Sequence, residues 1–338
     1  MISMNATVVW LNAPGEIELR DEPLREPGEH ELLCETLFTA ISPGTELAAY
    51  QGLPPLRPSV VYPRLQGYCN VARVVATGSA VSAAKTGDQV LTFSSHRSAF
   101  VAIESEILYR LPENARAEDI ACTYLFHLGY NPVLRANVRA GSRVLAIGLG
   151  ALGLTSVAMA ALSGARVFAL SDQGESARIA REFGAEFVFD RSELPELERA
   201  LGVDLADVVI TTTNSWSDWE IALQLAGKLG VIAVLGFPGR GEAPGSSNPL
   251  DSQYFYEKQL RIKAVGLSPE RPDSRGYCRF NERANLEYLA SQITAGRLNP
   301  RPLIAGCYAG KDIIKAYSDL MDRRASGVTY LLEWKNDQ

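Results

Sequence analysis

Residues 143–172 read RVLAIGLGALGLTSVAMAALSGARVFALSD. An apolar run opens the stretch, glycines follow at Gly148, Gly150 and Gly153, a helix-length segment comes next, and a second strand-like run closes it. A bare GxGxxG is a weak signal. The same spacing between a buried strand and a helix start reads as a dinucleotide-binding turn. Each glycine has its own reason. Gly148 allows the tight turn, Gly150 lets the backbone approach a pyrophosphate, and Gly153 lets the helix pack against the strand. The amides of Ala151 and Leu152 and the dipole at the helix start favour phosphate charge. The competing reading is a glycine-tolerant strand-to-helix turn with no ligand.

The end of the second strand bears on which nicotinamide cofactor fits. An acidic side chain there binds the ribose 2′-OH, whereas serine or glycine with a nearby arginine suits a 2′-phosphate. Ser171 stands at that position, Asp172 follows, and Arg178 lies further along. Asp172 repels a phosphate if it faces the ribose, so the reading is NAD or NADP with a lean to NAD. Thr212, after the strand-like ADVVIT, and Gly236, after GVIAVL, complete the expected cofactor cradle.

Around this motif the chain changes texture. Residues 1–110 form short runs such as ATVVWL, HELLCETLFTAI, YCNVARVVATG and RSAFVAI, separated by turns, which predicts a β-rich domain. From about residue 118 helical and strand-like segments alternate, the strands being apolar runs of four to seven residues. That pattern predicts a parallel sheet covered on both faces. A helix over 284–296, a strand at RPLIAGCY, a helix KDIIKAYSDLMDRR and a strand GVTYLLEW end the chain. The fold class is therefore α/β, a Rossmann doubly wound parallel sheet with a second, β-rich domain. Domain boundaries are expected at 1–125 with 268–338, and at 126–267.

The bulk numbers describe an ordinary soluble protein: 338 residues, 46% hydrophobic and 21% charged. A net charge of −6 and a pI near 5.3 argue against nucleic-acid or anionic-membrane partners. The N-terminal segment lacks a basic run and an uninterrupted apolar stretch, so no signal peptide is expected. Residues 144–165 are apolar enough to invite a membrane reading, but their glycines fall on the turn pattern. The five cysteines, Cys34, Cys69, Cys122, Cys278 and Cys307, are scattered and form no CxxC pair. This usage fits a reducing compartment, and a cytoplasmic location is expected.

Taken together, the chain resembles the medium-chain dehydrogenase/reductase superfamily over nearly its whole length. The resemblance rests on PGTE near residue 45, GY at 67–68, GDQV at 87–90, GLGALG, and GKDIIKAYSDLMDRRASGVTYLLEW at the end. It implies a GroES-like catalytic domain around the dinucleotide domain. It also implies a homodimer, since the strand KQLRIKAVG often pairs with a partner subunit in that family. Zinc-dependent members carry three ligands that this chain lacks. Pro43 stands where the first would be, Tyr68 and Cys69 replace a His-Glu pair, and Tyr124 falls near the third. The cysteine-rich structural zinc lobe is also missing. Proline cannot coordinate zinc, and a tyrosine pair is not a catalytic zinc set. A rearranged site from Cys69, Cys122 and His127 is the alternative; the expectation is that the enzyme uses no metal.

Without zinc, polar side chains must stabilise charge developing on a carbonyl oxygen. Thr45 matches the family's hydroxyl relay position, and Tyr68 stands where the ligand histidine would face the substrate. Glu46 and His127 are the remaining catalytic candidates, His127 because its ordinary pKa suits acid–base work near neutrality. Bland readings compete: a turn cap for Thr45 and Glu46, packing for Tyr68, and a satisfied core histidine for His127. The proline-rich loop 49–68 is a candidate substrate wall, with Tyr50 and Tyr62, joined by Tyr124 and His96.

The expected activity is zinc-independent, NAD(P)-dependent interconversion of a secondary alcohol and a ketone by hydride transfer. PGTE, the lost zinc ligands and the Leu-Glu-Trp ending are similar to the bacteriochlorophyllide dehydrogenase-like branch, which implies a specialised small-molecule substrate. Reduction of a quinone or enone is the first alternative, and dinucleotide binding without turnover the second.

Overall fold

The computed structural model describes residues 5–53, 62–243, 245, 248, 250–269, 274–322 and 327–334. Residues 54–61 of the proline-rich loop lie outside the described residues, as do 244, 246, 247 and 249 of the downstream loop and 323–326 of the C-terminal signature. The chain divides into two units, Met1–Tyr124 with Arg271–Gln338, and Leu125–Glu270.

In the first unit, β1 (Asn5–Ala13) and β2 (Glu16–Pro23) pair antiparallel around a turn that sets Gly15 at φ +79°. β3 (Glu31–Ala40) alternates as the sequence predicts, with Leu32, Cys34 and Thr36 buried. After it come α1 (Pro43–Tyr50), β4 (Arg64–Leu65), β5 (Asn70–Thr77), β6 (Gln89–Thr92), β7 (Ala99–Ile103), β8 (Tyr109–Arg110) and α2 (Ala117–Ile120). The helix expected from residue 118 is thus two pieces, α2 and then α3 (Thr123–Arg135), which carries Pro132 inside it.

The second unit is built on β9 (Arg143–Ile147), α4 (Ala151–Leu162), β10 (Arg166–Leu170), α5 (Gly174–Glu182), β11 (Phe187–Phe189), α6 (Leu194–Leu201), β12 (Ala206–Thr211), α7 (Trp216–Leu225), β13 (Ala226–Val234) and β14 (Arg261–Ala264). Its six strands lie in the order β11-β10-β9-β12-β13-β14, all parallel. This is the doubly wound order, which reverses direction at β9. Val144 to Ile147 and Val167 to Leu170 are all buried, as a sheet covered on both faces requires. Leu145, Ile147, Phe168, Leu170, Val209 and Ile232 form its core with Trp219 and Leu223. A π-helical turn spans Ser252–Tyr256, between β13 and β14.

The chain then returns through α8 (Glu282–Thr294), β15 (Ile304–Ala309), α9 (Ile313–Met321) and β16 (Thr329–Glu333). α8 starts two residues earlier than the periodicity predicts, because the Asn281 side chain accepts the Ala284 N–H and caps it. β16 pairs antiparallel with β3, placing Leu332 opposite Thr39. Val9 and Ile41 from the N-terminal strands share one apolar core with Ile313, Tyr317, Leu332 and Trp334. That burial is the physical reason the last strand belongs to the first unit. Among the described residues no helix is long and apolar enough to cross a membrane.

Candidate active site

In the second unit the glycine turn has the geometry its spacing predicts. Gly148 follows β9 at φ +86°, where a Cβ would stand 2.4 Å from Thr213 Cγ2. Gly150 precedes α4, and no atom lies within 4 Å of where its Cβ would be. Gly153 is in backbone contact with the turn, its would-be Cβ 1.8 Å from the Gly148 carbonyl oxygen. Ala151 and Leu152 open α4, whose first turn carries no acidic side chain to compete with an anion. Thr212 and Gly236 act through shape. The Thr212 hydroxyl donates to the Gly148 carbonyl at 3.0 Å, and a Cβ on Gly236 would lie 2.5 Å from the Thr213 carbonyl oxygen. These residues fit a dinucleotide: an open, amide-lined turn whose close contacts leave no room for side chains.

At the end of β10, Ser171 accepts the Gln173 N–H. Asp172 accepts the Arg191 N–H at 2.9 Å and its guanidinium at 2.6 Å, and these bonds hold its carboxyl below the usual range. Arg191 also forks onto buried Asp218 at 2.8 and 2.7 Å. Arg178, by contrast, is taken up by Glu175 and Glu182 on its own helix, so the expectation for it is corrected. Arg191 is the arginine beside Asp172, and sequence reasoning missed it. The signal available was the Asp190-Arg191 pair immediately after the strand FVF.

In the first unit the catalytic candidates converge, with one exception. Ser42 is the N-cap of α1, yet its hydroxyl makes no capping bond; it accepts the Tyr68 hydroxyl at 2.5 Å instead. Thr45, exposed in the first turn of α1, is a polar neighbour of the same phenol. Burial of the phenol end lifts the Tyr68 hydroxyl well above its ordinary pKa of 10. The Tyr68 ring packs edge-on against Tyr124, centroids 4.9 Å apart, and Tyr124 meets Phe93 in the same way at 5.3 Å. The Tyr124 hydroxyl donates to Glu282 at 3.3 Å.

Glu46 lies beneath this pair, 2% exposed. Its Oε1 accepts the Ser42 N–H at 2.6 Å; its Oε2 accepts the Tyr317 hydroxyl at 2.6 Å and lies 2.8 Å from His96 Nε2. A carboxylate engaged on both oxygens in a dry core supports its neighbours and does not reach a substrate. His96, expected on the substrate wall, is fully enclosed between Glu46 and Thr39. Tyr50 and Tyr62 are likewise structural: Tyr50 packs edge-on against Tyr317, and the Tyr62 hydroxyl donates to the Ala49 carbonyl. His127 is the exception to convergence. It lies in the second unit, buried, and burial pushes its pKa down to about 4, so it is not poised for acid–base work near neutrality.

The residues do not fit a catalytic zinc. Pro43 offers no donor, and the two tyrosine rings pack against each other. The rings of Tyr68 and Tyr124 meet edge-on with centroids 4.9 Å apart. Among the described residues no group of three or more His, Cys, Asp or Glu side chains is placed to hold a metal ion.

Comparison with known proteins adds three findings. The zinc-binding dehydrogenase family profile matches residues 151–278. A sorbitol dehydrogenase from Gallus gallus is 21% identical, with 96% of this chain and 95% of that protein covered. Two solved structures share the fold: a 2R,3R-butanediol dehydrogenase from Bacillus subtilis (TM-score 0.80, 17% identity, 98% and 100% of the two chains) and an Escherichia coli CFT073 protein described as a short chain alcohol dehydrogenase, solved with NADH (TM-score 0.79, 17% identity, 97% and 99%). These likenesses support the medium-chain, zinc-type alcohol-dehydrogenase-like superfamily. The relatives and structural neighbours are oxidoreductases of that kind.

Proposed function

We propose that this chain is a zinc-independent, NAD(P)-dependent oxidoreductase that interconverts a secondary alcohol and a ketone on a specialised small molecule. The observation that carries the reading is the hydrogen bond from the Tyr68 hydroxyl to Ser42, with Thr45 beside it, Tyr68 being the residue that the family resemblance sets at a zinc-ligand position. A nicotinamide dinucleotide, when bound, supplies the hydride acceptor or donor. Gly148, Gly150, Gly153 and the amides opening α4 would hold its pyrophosphate, and Asp172 with Arg191 would meet the adenosine ribose. Asp172 supports NAD over NADP.

The proton chemistry belongs to the protein. A phenol lifted above its ordinary pKa keeps its proton through neutral pH and can donate a hydrogen bond to an oxygen acquiring negative charge, the proton passing over only as that oxygen becomes the stronger base. The phenolate left behind would be held by the Ser42 and Thr45 hydroxyls, and exposed Thr45 offers a route for the proton to and from water. In the oxidation direction the same chain removes the alcohol proton. The aromatic faces of Tyr68, Tyr124 and Phe93 suit an apolar or flat substrate body. The PGTE segment and Leu-Glu-Trp ending support a branch similar to the bacteriochlorophyllide dehydrogenases. A cytoplasmic homodimer, paired through the outer sheet edge at β14, belongs to the same proposal, with no nucleic-acid or membrane partner.

The test is turnover. Purified protein is assayed with NAD and NADP on hydroxylated substrates, with NADH and NADPH on quinones and enones, and for metal content. Alcohol-dependent NAD reduction without stoichiometric zinc, reduced at least about 10²-fold in Tyr68→Phe, is the expected result. Turnover only with simple quinones assigns the enone reaction instead, and tight cofactor binding with no turnover assigns a sensor. Stoichiometric zinc, or an unchanged turnover number in Tyr68→Phe, overturns the mechanism.

A further inference from the structure

We propose that His96 is a positioning residue for the Tyr68 hydroxyl, acting through a buried relay that runs from Trp334 to Ser42; this rests on the reading of Tyr68 as the proton donor.

Counting donors and acceptors sets the direction of the relay. Trp334 Nε1 has one N–H and gives it to Thr39 Oγ1 at 3.0 Å. Thr39 Oγ1 lies 2.8 Å from His96 Nδ1. The Glu46 carboxylate is an acceptor, which calls for the proton on His96 Nε2, facing Oε2 at 2.8 Å. Three donors therefore converge on the carboxylate: His96, the Tyr317 hydroxyl and the Ser42 N–H. Thr39, His96 and Tyr317 are each fully enclosed, so water does not compete. Buried polar groups destabilise a fold unless every one is satisfied, and an apolar core would serve stability as well. Here the satisfied network ends at the backbone N–H of Ser42, the residue whose hydroxyl Tyr68 uses.

His96 also holds Tyr68 from below through the backbone. Its own N–H donates to the Gln66 carbonyl at 2.7 Å. Gly67, at φ +82°, lies against the imidazole so closely that a Cβ there would stand 2.5 Å from the ring. The residue before Tyr68 thus rests on the His96 face, while Glu46 fixes Ser42 on the other side. Moving the imidazole shifts both supports of one phenol. The Ser42 hydroxyl forgoes capping α1 and receives Tyr68 instead.

The experiment uses the full chain labelled with 3-fluorotyrosine, the Tyr68 resonance being assigned by its loss in Tyr68→Phe. Two variants are compared with wild type: Thr39→Val, which keeps side-chain volume and cuts the relay, and His96→Asn. The expected result is a shifted Tyr68 fluorine resonance in Thr39→Val and about a 10- to 100-fold fall in kcat with NADH affinity unchanged. Combining either variant with Tyr68→Phe should give no further fall, because His96 acts only through Tyr68. An unmoved resonance in folded Thr39→Val, or losses that multiply in the double variant, overturns the proposal. If Tyr68→Phe alone keeps full turnover, the proton-donor reading fails, while a shifted resonance still supports the positioning role.

Discussion

Gly153 and the carbonyl of Gly148 are packed backbone to backbone, leaving 1.8 Å where a Cβ of residue 153 would stand. Gly150, between them in sequence, has nothing within 4 Å of its Cβ position and an ordinary φ of −74°. Two glycines of one motif therefore do different work, and alanine separates them. Gly153→Ala must push α4 off the sheet and should lose about 3 kcal/mol or more of stability, read by urea denaturation. Gly150→Ala should leave Tm within about 2 °C of wild type and weaken NADH binding at least about 10-fold, read by fluorescence titration. Unchanged NADH affinity in Gly150→Ala would falsify the assignment of this turn to a pyrophosphate.

His127 gives a pH dependence of defined sign. Its pKa is about 4 in the fold against an ordinary 6.5, so the unfolded chain binds the extra proton first. Stability from this site is complete above pH 6.5 and is lost as pH falls toward 4, by about 3 kcal/mol in total. Urea midpoints at pH 7 and pH 4.5 should converge in His127→Gln relative to wild type. An equal drop in both proteins removes His127 from the acid response.

The Asp172–Arg191 pair should decide between cofactors. Asp172 occupies one edge of the Arg191 guanidinium, and Asp218 occupies the other. Asp172→Ser removes the carboxylate that repels a 2′-phosphate and frees one edge of the arginine. The NADPH to NADH affinity ratio is expected to rise about 10-fold or more, measured by paired titrations. A ratio that stays at the wild-type value places the ribose elsewhere.

Tyr317→Phe deletes one of three donors on Glu46 and keeps the ring against Tyr50. Losing a hydrogen bond to a buried carboxylate should reduce stability by about 2 kcal/mol. Calorimetric melting of the variant checks this, and an unshifted melt would mean Glu46 is not held by that hydroxyl.

Much of the fold was legible because it rests on local patterns. Val144–Ile147 and Val167–Leu170 are apolar runs with no alternation, and only a sheet covered on both faces accommodates them. The turn between them was readable from Gly148, Gly150 and Gly153, since a backbone that must turn tightly or touch another backbone excludes side chains. Tyr68 and Thr45 were each singled out through the family pattern. Ser42 was overlooked, because Ser-Pro-Gly-Thr reads as an N-cap followed by proline at the first helical position, and nothing local reveals that the hydroxyl turns away.

His96, Glu46 and Thr39 mark the boundary of sequence reasoning. Their partners lie far along the chain: Tyr317 is 271 residues from Glu46, and Trp334 is 295 from Thr39. Whether a histidine faces a substrate or fills a dry core depends on which strands pair around it, and β16 reaches β3 only after the second unit is complete. The sequence by itself determined the doubly wound sheet and the glycine turn, because each follows from residue type and short-range spacing. Only the tertiary structure decided that Glu46 and His96 are buried together in one hydrogen-bonded network, since hydrogen bonds between distant segments exist only once packing has excluded water from between them.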